Sequence, residues 1–170
     1  GIELSEAMVA QLRSDAVSVT VGDFARTTVD RLFRLVYLVR NTITNLTTQD
    51  EQVSCFLNAA AHLSPGGVFV IENYIPSPVR EGVRVFARTP THLGFEEYDS
   101  AAQIAVSHHY WVIDGELKTF SSPHRYLWPG ELDLMARIAG LTLVERWGDW
   151  HRGPFTSQSD SHISVWQKPT

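Results

Sequence analysis

Residues 32–39, LFRLVYLV, and residues 68–71, VFVI, are the two apolar runs that decide the fold of this chain. Uninterrupted apolar runs of this kind are typical of strands that are buried on both faces. Between them, residues 53–63 place apolar side chains at helical spacing. We therefore predict a strand, a helix and a second strand, which is the repeating unit of a parallel sheet with helices on its faces.

Local signals set the ends of this helix. Thr48 and Glu51 have the spacing of a capping box, so the helix is predicted to begin after Thr48. Ser64-Pro65-Gly66-Gly67 is predicted to end it, because proline and glycine do not continue a helix.

The same alternation of strand and helix extends back to the first residue. Ser5 is a plausible N-cap for a helix that begins at Glu6, and an apolar stub before Glu3 has the character of a strand end. Residues 17–21, VSVTV, predict a further strand that ends at a Gly22-Asp23 turn.

The pattern changes after Tyr74. From residue 76 to 126 the signals are strands and turns, with a long strand over 103–112 and a hairpin turn at Asp114-Gly115. A helix from Pro129 and a closing strand pair, 141–147 and 162–166, follow. We predict one α/β domain, residues 1–170, with a core formed by 1–75 and 127–170 and an antiparallel β-insertion at 76–126.

Composition excludes several classes of function. The net charge is −5 and there is no basic run, which disfavours a nucleic-acid partner. No stretch approaches the roughly 18 apolar residues of a membrane span, and no signal peptide is evident. A single cysteine, Cys55, excludes an internal disulfide framework and favours the reducing cytoplasm. The histidines lack ligand spacing, so we predict no metal site.

Four features then follow one another in a characteristic order. Glu3 ends the first strand, Gly22-Asp23-Phe24 follows the second, Arg40-Asn41-Thr42 follows the apolar strand, and Leu63-Ser64-Pro65-Gly66-Gly67 precedes the next strand. In this order they resemble the class I S-adenosylmethionine-dependent methyltransferases, from the second strand of that family to the end of its domain. The resemblance covers nearly the whole chain and implies a Rossmann-like sheet with helices on both faces.

The resemblance implies S-adenosylmethionine as the cofactor. The residues that it places against the cofactor are Glu3, Leu4, Asp23, Phe24, Val39, Arg40 and Asn41. Glu3 would accept hydrogen bonds from the ribose hydroxyls, and Asp23 would take the adenine amino group between Leu4 and Phe24. Each polar member has a plainer alternative: a helix-end charge for Glu3, a turn residue for Asp23 and a cap for Asn41.

One family feature does not occur in the sequence. The family's glycine-rich loop follows its first strand, and no G-x-G-x-G is found here. In the family that first strand lies between the second and the fourth strands. Without it, both neighbouring strands would have unpaired backbone groups, and each such group costs about 1–3 kcal/mol. We expect an N-terminal segment to precede Gly1. A strand from another chain, or a sheet that has closed around the gap with altered cofactor binding, are the alternatives.

The acceptor site is expected in the insertion. His108 and His109 are the predicted general bases, because histidine titrates near neutral pH. Successive strand residues face opposite sides, so only one of them can enter a given pocket. The alternative is that one packs against the core and the other is solvated. We predict methyl transfer to a nitrogen or oxygen nucleophile of a small molecule.

Two further functions stay open from the sequence. A degenerate fold could catalyse a cofactor-free cyclisation or dehydration, as the missing glycine-rich loop would favour. A non-catalytic partner subunit would show an exposed, unpaired strand edge at residues 1–5. We also expect the insertion to be able to mediate a homodimer.

Overall fold

The main sheet has four strands, in the order β3 (Phe33–Leu38), β4 (Leu63–Tyr74), β10 (Ser161–Gln167) and β9 (Thr142–Trp147). The structure is a computed structural model that describes residues 1–12, 17–77 and 82–170. Strands β3 and β4 are parallel, whereas β10 runs antiparallel to β4 and β9 antiparallel to β10. A parallel pair joined by a helix and closed by an antiparallel hairpin confirms the predicted α/β class.

Two helices cover one face of this sheet. Helix α2 spans Gln49–His62 and helix α3 spans Pro129–Ile138. Both contribute to the same core, in which the rings of Phe56, Phe69 and Trp166 lie edge to face, with the Phe56 centroid 5.1 and 5.4 Å from the other two. In the described part of the chain the two long helices thus share one face of the main sheet.

The predicted helix ends are largely confirmed. Thr48 Oγ1 accepts from the Glu51 amide and the Glu51 carboxylate accepts from the Thr48 amide, which completes the capping box. Helix α2 ends at His62, and the chain enters β4 at once. Residues 64–67 were therefore wrongly assigned as a break between helix and strand. They lie inside β4, where Gly67 is required because a Cβ would lie 2.9 Å from Ser64 O.

Strand β3 differs from its predicted burial. Leu35 is 51% exposed and Tyr37 is 61% exposed, so the strand is covered on one face only. Among the described residues β3 pairs with β4 alone and is therefore an edge strand. An apolar run predicts burial but does not specify which segment provides the cover.

The N-terminal region forms a separate parallel pair. Strand β1 is Ile2–Glu3 and β2 is Thr20–Val21, with the short helix α1, Glu6–Val9, between them. The predicted strand over residues 17–21 is thus shorter, although Ser5 caps α1 as expected. Within residues 1–12, 17–77 and 82–170 no backbone pairing joins β1 to β3. The main sheet has therefore not closed across the position of the family's first strand.

A second sheet follows β4 and consists of a four-stranded antiparallel meander. Its strands, in sequence order and in spatial order, are β5 (Gly82–Thr89), β6 (His92–Asp99), β7 (Ile104–Ile113) and β8 (Glu116–Arg125). Asp114 and Gly115 form the tight β7–β8 turn with φ angles of 54° and 80°. The predicted insertion covers residues 76–126, and Pro78, near its start, lies outside the described residues. The division of the chain into core and insertion stays a prediction.

The register divides this sheet into two faces. The inner face carries Arg84, Glu96, Tyr98, Ser107, His109 and His124, which are cross-strand neighbours or lie two residues apart on one strand. The outer face carries the alternate residues, among them Glu97, Val106 and His108.

Arg125, the last residue of β8, attaches this sheet to the core. Its guanidinium donates to Gln52 Oε1 at 2.6 Å, to Gln103 Oε1 at 2.9 Å and to Glu131 Oε1 at 3.2 Å. Gln52 in turn donates to the Arg125 carbonyl at 3.2 Å. Because Arg125 is buried, these bonds hold β8 against α2 and α3.

Candidate active site at the edge of the main sheet

A cavity of about 390 Å³ lies between the carboxyl ends of β3 and β4 and the inner face of the antiparallel sheet. Ligands of open α/β sheets bind at this edge. From the core the cavity is lined by Arg40, Asn41, Thr44, Asn45, Tyr74, Ile75 and Ser77. From the antiparallel sheet it is lined by Arg84, Phe86, Glu96, Tyr98, Ser107 and His124.

The turn after β3 is built from strained backbone. Arg40 and Asn41 both adopt left-handed conformations, with φ angles of 55° and 62°. Two such residues in a row need support from their surroundings. Arg40 N donates to Glu72 Oε2, and Tyr74 N donates to Asn41 Oδ1, both at 2.8 Å. These bonds join the ends of β3 and β4 and fix the cavity wall.

From the sequence, Asn41 was either a cofactor-binding residue or a cap. In the structure its side chain makes a different contact. It precedes the 3₁₀-helix Thr42–Asn45 but makes no side-chain cap bond there. Its oxygen instead accepts from Tyr74 N, which leaves the amide nitrogen beside the cavity. Val39 accepts a hydrogen bond from Thr42 Oγ1 through its carbonyl at 2.6 Å.

Glu3 and Asp23 lie at the ends of the parallel strands β1 and β2, and thus at one edge of that pair. Glu3 Oε1 accepts from Ser5 N at 2.8 Å, and Asp23 Oδ1 accepts from Ala25 N at 2.8 Å. The second of these bonds is the turn role that was the alternative for Asp23. In each carboxylate, one oxygen accepts a backbone hydrogen bond, and this bond orients the group.

The two predicted adenine-stacking residues differ in environment. Leu4 is 72% exposed, whereas Phe24 packs against the core beside the buried Ala25. Asn58 of α2 donates to the Phe24 carbonyl at 3.0 Å and fixes that segment. Of the predicted cofactor residues, only Arg40 and Asn41 line the cavity, and the contacts of the others with a cofactor stay predictions.

The two predicted catalytic histidines face opposite sides, as strand alternation requires. His108 lies on the outer face, where its ring nitrogens lie 2.8 Å from Ser121 Oγ and 3.2 Å from Glu97 Oε2. His109 lies on the inner face, stacked on Trp111 and with Nδ1 3.0 Å from His92 Nε2. Neither is among the residues that line the cavity. Burial, and secondarily His92, lower the pKa of His109 below its usual value. Their catalytic role stays a prediction.

Sequence reasoning missed the polar groups that do line the cavity. Glu96 Oε1 accepts from Ser107 Oγ at 3.2 Å, and its other oxygen accepts a short hydrogen bond from Tyr98 OH. Burial and this bond to Glu96 raise the pKa of Tyr98 to about 12, so its hydroxyl keeps its proton. Strand alternation places Glu96 and Tyr98 on one face and Glu97 on the other, and this was the available signal for the two residues. It does not indicate which of the two faces is the inner one.

His124 is the second missed group. Its Nδ1 is buried without a hydrogen-bond partner in the part of the chain that the structure describes. Burial lowers the pKa of His124, the Glu96 charge raises it and His109 lowers it further. The ring of His124 lines the cavity, but this nitrogen is shielded from it.

Among the residues that the structure describes, no group of three or more His, Cys, Asp or Glu side chains is arranged to hold a metal ion. No helix in the described ranges is long and apolar enough to cross a membrane.

The chain is similar to known methyltransferases. The structure of the CcbJ methyltransferase from Streptomyces caelestis is 32% identical, superposes with a TM-score of 0.88, and is matched over 100% of this chain and 74% of that one. The cypemycin N-terminal methyltransferase of Streptomyces sp is 28% identical over 162 residues, which are 89% of this chain and 65% of that protein. The S-adenosylmethionine-bound amino pentose methyltransferase CalS10 of Micromonospora echinaspora shares the fold, at 20% identity and a TM-score of 0.73 over 99% and 72% of the two chains. No protein-family model matches.

The Rossmann-like fold and the cavity at its carboxyl edge define a class, the S-adenosylmethionine-dependent methyltransferases. The chain belongs to this family, as its likeness to the CcbJ methyltransferase shows. It spans about two thirds, 65%, of the length of the curated relative that it matches.

Proposed function

We propose that this protein transfers a methyl group from S-adenosylmethionine to a nitrogen of a small-molecule amine. The observation that carries the proposal is the cavity that joins Arg40 and Asn41, at the predicted cofactor edge, to the polar inner face of the antiparallel sheet. The names of the similar proteins add support, since they include an N-terminal and an amino pentose methyltransferase.

The residues at the cofactor edge fit the group by their chemistry. The carboxylates of Glu3 and Asp23 are hydrogen-bond acceptors that suit ribose hydroxyls and an adenine amino group, and Phe24 offers a flat apolar surface. The buried Ala25 and the Asn58 bond hold the Phe24 segment in place. Bound S-adenosylmethionine supplies a methyl group on a positively charged sulfur, which makes the methyl carbon electrophilic.

The protein's own task is then to bind and orient the acceptor. Methyl displacement is in line, so most of the catalytic effect comes from holding the acceptor nitrogen at the right place and in its unprotonated form. The strained Arg40-Asn41 turn and the Asn41–Tyr74 bond make one wall rigid, and Glu96 and Tyr98 make the opposite wall polar.

The test is product formation by the full-length protein. Purified protein with S-adenosylmethionine should release S-adenosylhomocysteine when offered amino sugars and peptides with free N-termini, and matched alcohols should not support release. The Glu3→Gln variant should lose most of this activity, whereas Glu6→Gln, a nearby exposed carboxylate in α1, should keep it. Equal activity of both variants would overturn the role of Glu3.

A cofactor-free reaction in the same cavity is the competing proposal. It predicts turnover that does not depend on S-adenosylmethionine and is unchanged in Glu3→Gln. The assay above separates the two functions directly.

The remaining partners are proposals as well. The net charge of −5 supports a small molecule over a nucleic acid as acceptor. A single buried cysteine supports a cytoplasmic location.

We also propose a homodimer formed through the outer face of the antiparallel sheet. That face exposes uncharged apolar side chains, namely Val83, Val85, Leu93, Tyr110, Val112 and Leu117. Contiguous exposed apolar surface marks interaction sites, and a second copy would cover the same patch on both subunits with one symmetric contact. Light scattering should give a dimer for the wild type and a monomer for Leu117→Lys; a monomeric wild type would contradict this proposal.

A further inference from the structure

The loop between β9 and β10, residues 148–160, reaches the carboxyl end of β4 through Trp150. The indole nitrogen of Trp150 donates a hydrogen bond to Glu72 Oε1 at 2.9 Å. The other carboxylate oxygen of Glu72 accepts from Arg40 N at 2.8 Å. One carboxylate thus bridges this loop and the turn after β3, two segments that are far apart in the chain.

The tip of the loop is held in shape by its own hydrogen bonds. Gly148 N donates to Gly153 O at 2.9 Å, which closes the turn that carries Trp150. Asp149 Oδ1 accepts from His151 N at 2.8 Å and from Gly153 N at 3.0 Å. Trp150 therefore projects from an ordered turn, although the residue is 53% exposed. Because the turn is already ordered, the bond from Trp150 to β4 costs little further backbone entropy.

The Glu72 carboxylate is held by these two bonds and not by a counter-charge. It has no ion-pair partner within residues 1–12, 17–77 and 82–170. Its oxygens accept instead from a neutral backbone N–H and a neutral indole N–H, and such bonds are stronger than those between two neutral groups because the acceptor is charged. Rotation of the side chain would break both bonds at once, so each bond helps to hold the other.

The turn after β3 depends on support of this kind. Arg40 and Asn41 have φ angles of 55° and 62°, and such conformations persist only where the surrounding structure holds them. The Asn41–Tyr74 bond holds the second of these residues, and Asn41 N also donates to Glu72 O at the longer distance of 3.3 Å. The backbone nitrogen of Arg40 is held by the Glu72 carboxylate.

We propose that Glu72 and Trp150 are positioning residues for methyl transfer, which hold the Arg40-Asn41 turn and with it one wall of the cavity. This inference rests on the proposed function. Neither residue lines the cavity, whereas Arg40, Asn41 and Tyr74 do, so both act through the turn. In-line displacement depends steeply on the placement of the reacting atoms, and a shift of about 1 Å can lower the rate by about 10²-fold.

The first test follows the contact itself by nuclear magnetic resonance of the full-length protein. Trp150→Phe keeps an aromatic ring but removes the N–H donor, and the indole signal that it eliminates identifies Trp150. Glu72→Gln should shift that indole signal, because a glutamine side chain has one oxygen and cannot accept from both donors.

The effect on the turn is read from the backbone amide of Arg40 in the same spectra. Trp150→Phe should shift this amide signal, whereas Trp128→Phe, which changes a partly exposed tryptophan next to α3, should not. An unmoved Arg40 amide in Trp150→Phe, or an equal shift in Trp128→Phe, would overturn the proposal.

Kinetics with an accepted amine give the second readout. Glu72→Gln and Trp150→Phe should each lower kcat by about 10–10²-fold, counted per molecule that binds S-adenosylhomocysteine. Glu145→Gln, which changes an exposed carboxylate of β9, should keep the wild-type kcat. Because both substitutions break the same contact, the double variant should be no slower than Glu72→Gln alone.

A contact that only stabilises the fold gives a different result. It would lower the unfolding midpoint and the number of binding-competent molecules, but kcat per binding-competent molecule would be unchanged in both single variants. That outcome, or losses that multiply in the double variant, would overturn the positioning role.

S-adenosylhomocysteine binding by the wild type distinguishes the two levels of the account. Binding and turnover in the wild type, together with full kcat in both single variants, would refute this inference alone. Absence of binding by the wild type would count against the proposed function itself.

Discussion

The side-chain oxygen of Asn41 lies 2.8 Å from the backbone nitrogen of Tyr74 and accepts its hydrogen. The two residues are 33 positions apart in the chain and end the adjacent parallel strands β3 and β4. This bond ties together the carboxyl ends of β3 and β4 where they line the cavity.

Removing this bond should cost stability. Asn41→Ala leaves the Tyr74 amide without its acceptor and puts alanine in a left-handed conformation that asparagine tolerates better. We expect the free energy of unfolding to fall by about 1–3 kcal/mol in denaturant titrations. Asn45→Ala, an exposed asparagine in the 3₁₀-helix that follows, is the control and should change little; equal losses would show that the Asn41–Tyr74 bond does not contribute specifically to stability.

Replacing Arg125, a buried charged residue, should strongly destabilise the fold. Arg125→Ala removes the partner of Glu131 and leaves Gln52 and Gln103 without a buried donor. Breaking a largely buried pair on one side costs about 3–5 kcal/mol. Arg88→Ala, an exposed arginine of β5, should stay within about 0.5 kcal/mol of the wild type. Similar unfolding midpoints for the two variants would contradict the anchoring role.

Acid should destabilise the fold through His162. Burial, together with the Arg146 charge, lowers the pKa of His162 from 6.5 to about 4. The unfolded state therefore binds a proton below pH 6.5 that the folded state does not bind until about pH 4. Stability should fall as the pH drops through this window, by up to about 3 kcal/mol, and should be independent of this group above it.

The check on this pH dependence is the unfolding free energy measured between pH 4 and 8. His162→Asn should flatten its slope below pH 6.5. An unchanged slope in that variant would assign the acid sensitivity to other groups.

Cys55 should be chemically silent in the folded protein. It is 3% exposed in α2, and burial, with a smaller effect of the Asp23 charge, raises the pKa of its thiol to about 12. Thiol reagents at neutral pH should modify it only after denaturation. Rapid modification of native protein would show that α2 opens readily.

The sequence predicts those parts of the fold that depend on neighbouring residues. Thr48 and Glu51 are three positions apart, so the capping box could be predicted locally, and Asp114-Gly115 has the composition of its turn. The exposure of Leu35 and Tyr37 could not be predicted, because it depends on which segments cover β3.

The site was only partly predictable for the same reason. His108 and His109 have suitable chemistry, but their distance from the cavity follows from where β7 crosses the edge of the main sheet. Glu96 and His124 are 28 positions apart by their numbering and line the same cavity only through the register of three strands. Strand alternation indicates which residues share a face, and the tertiary fold decides which face lines the cavity.

Equilibrium binding of S-adenosylmethionine to the full-length protein, measured by calorimetry, tests the central claim most directly. The account predicts saturable one-to-one binding that Glu3→Gln weakens strongly and Glu6→Gln leaves unchanged. Absence of binding to the wild type, or equal binding by both variants, would contradict it.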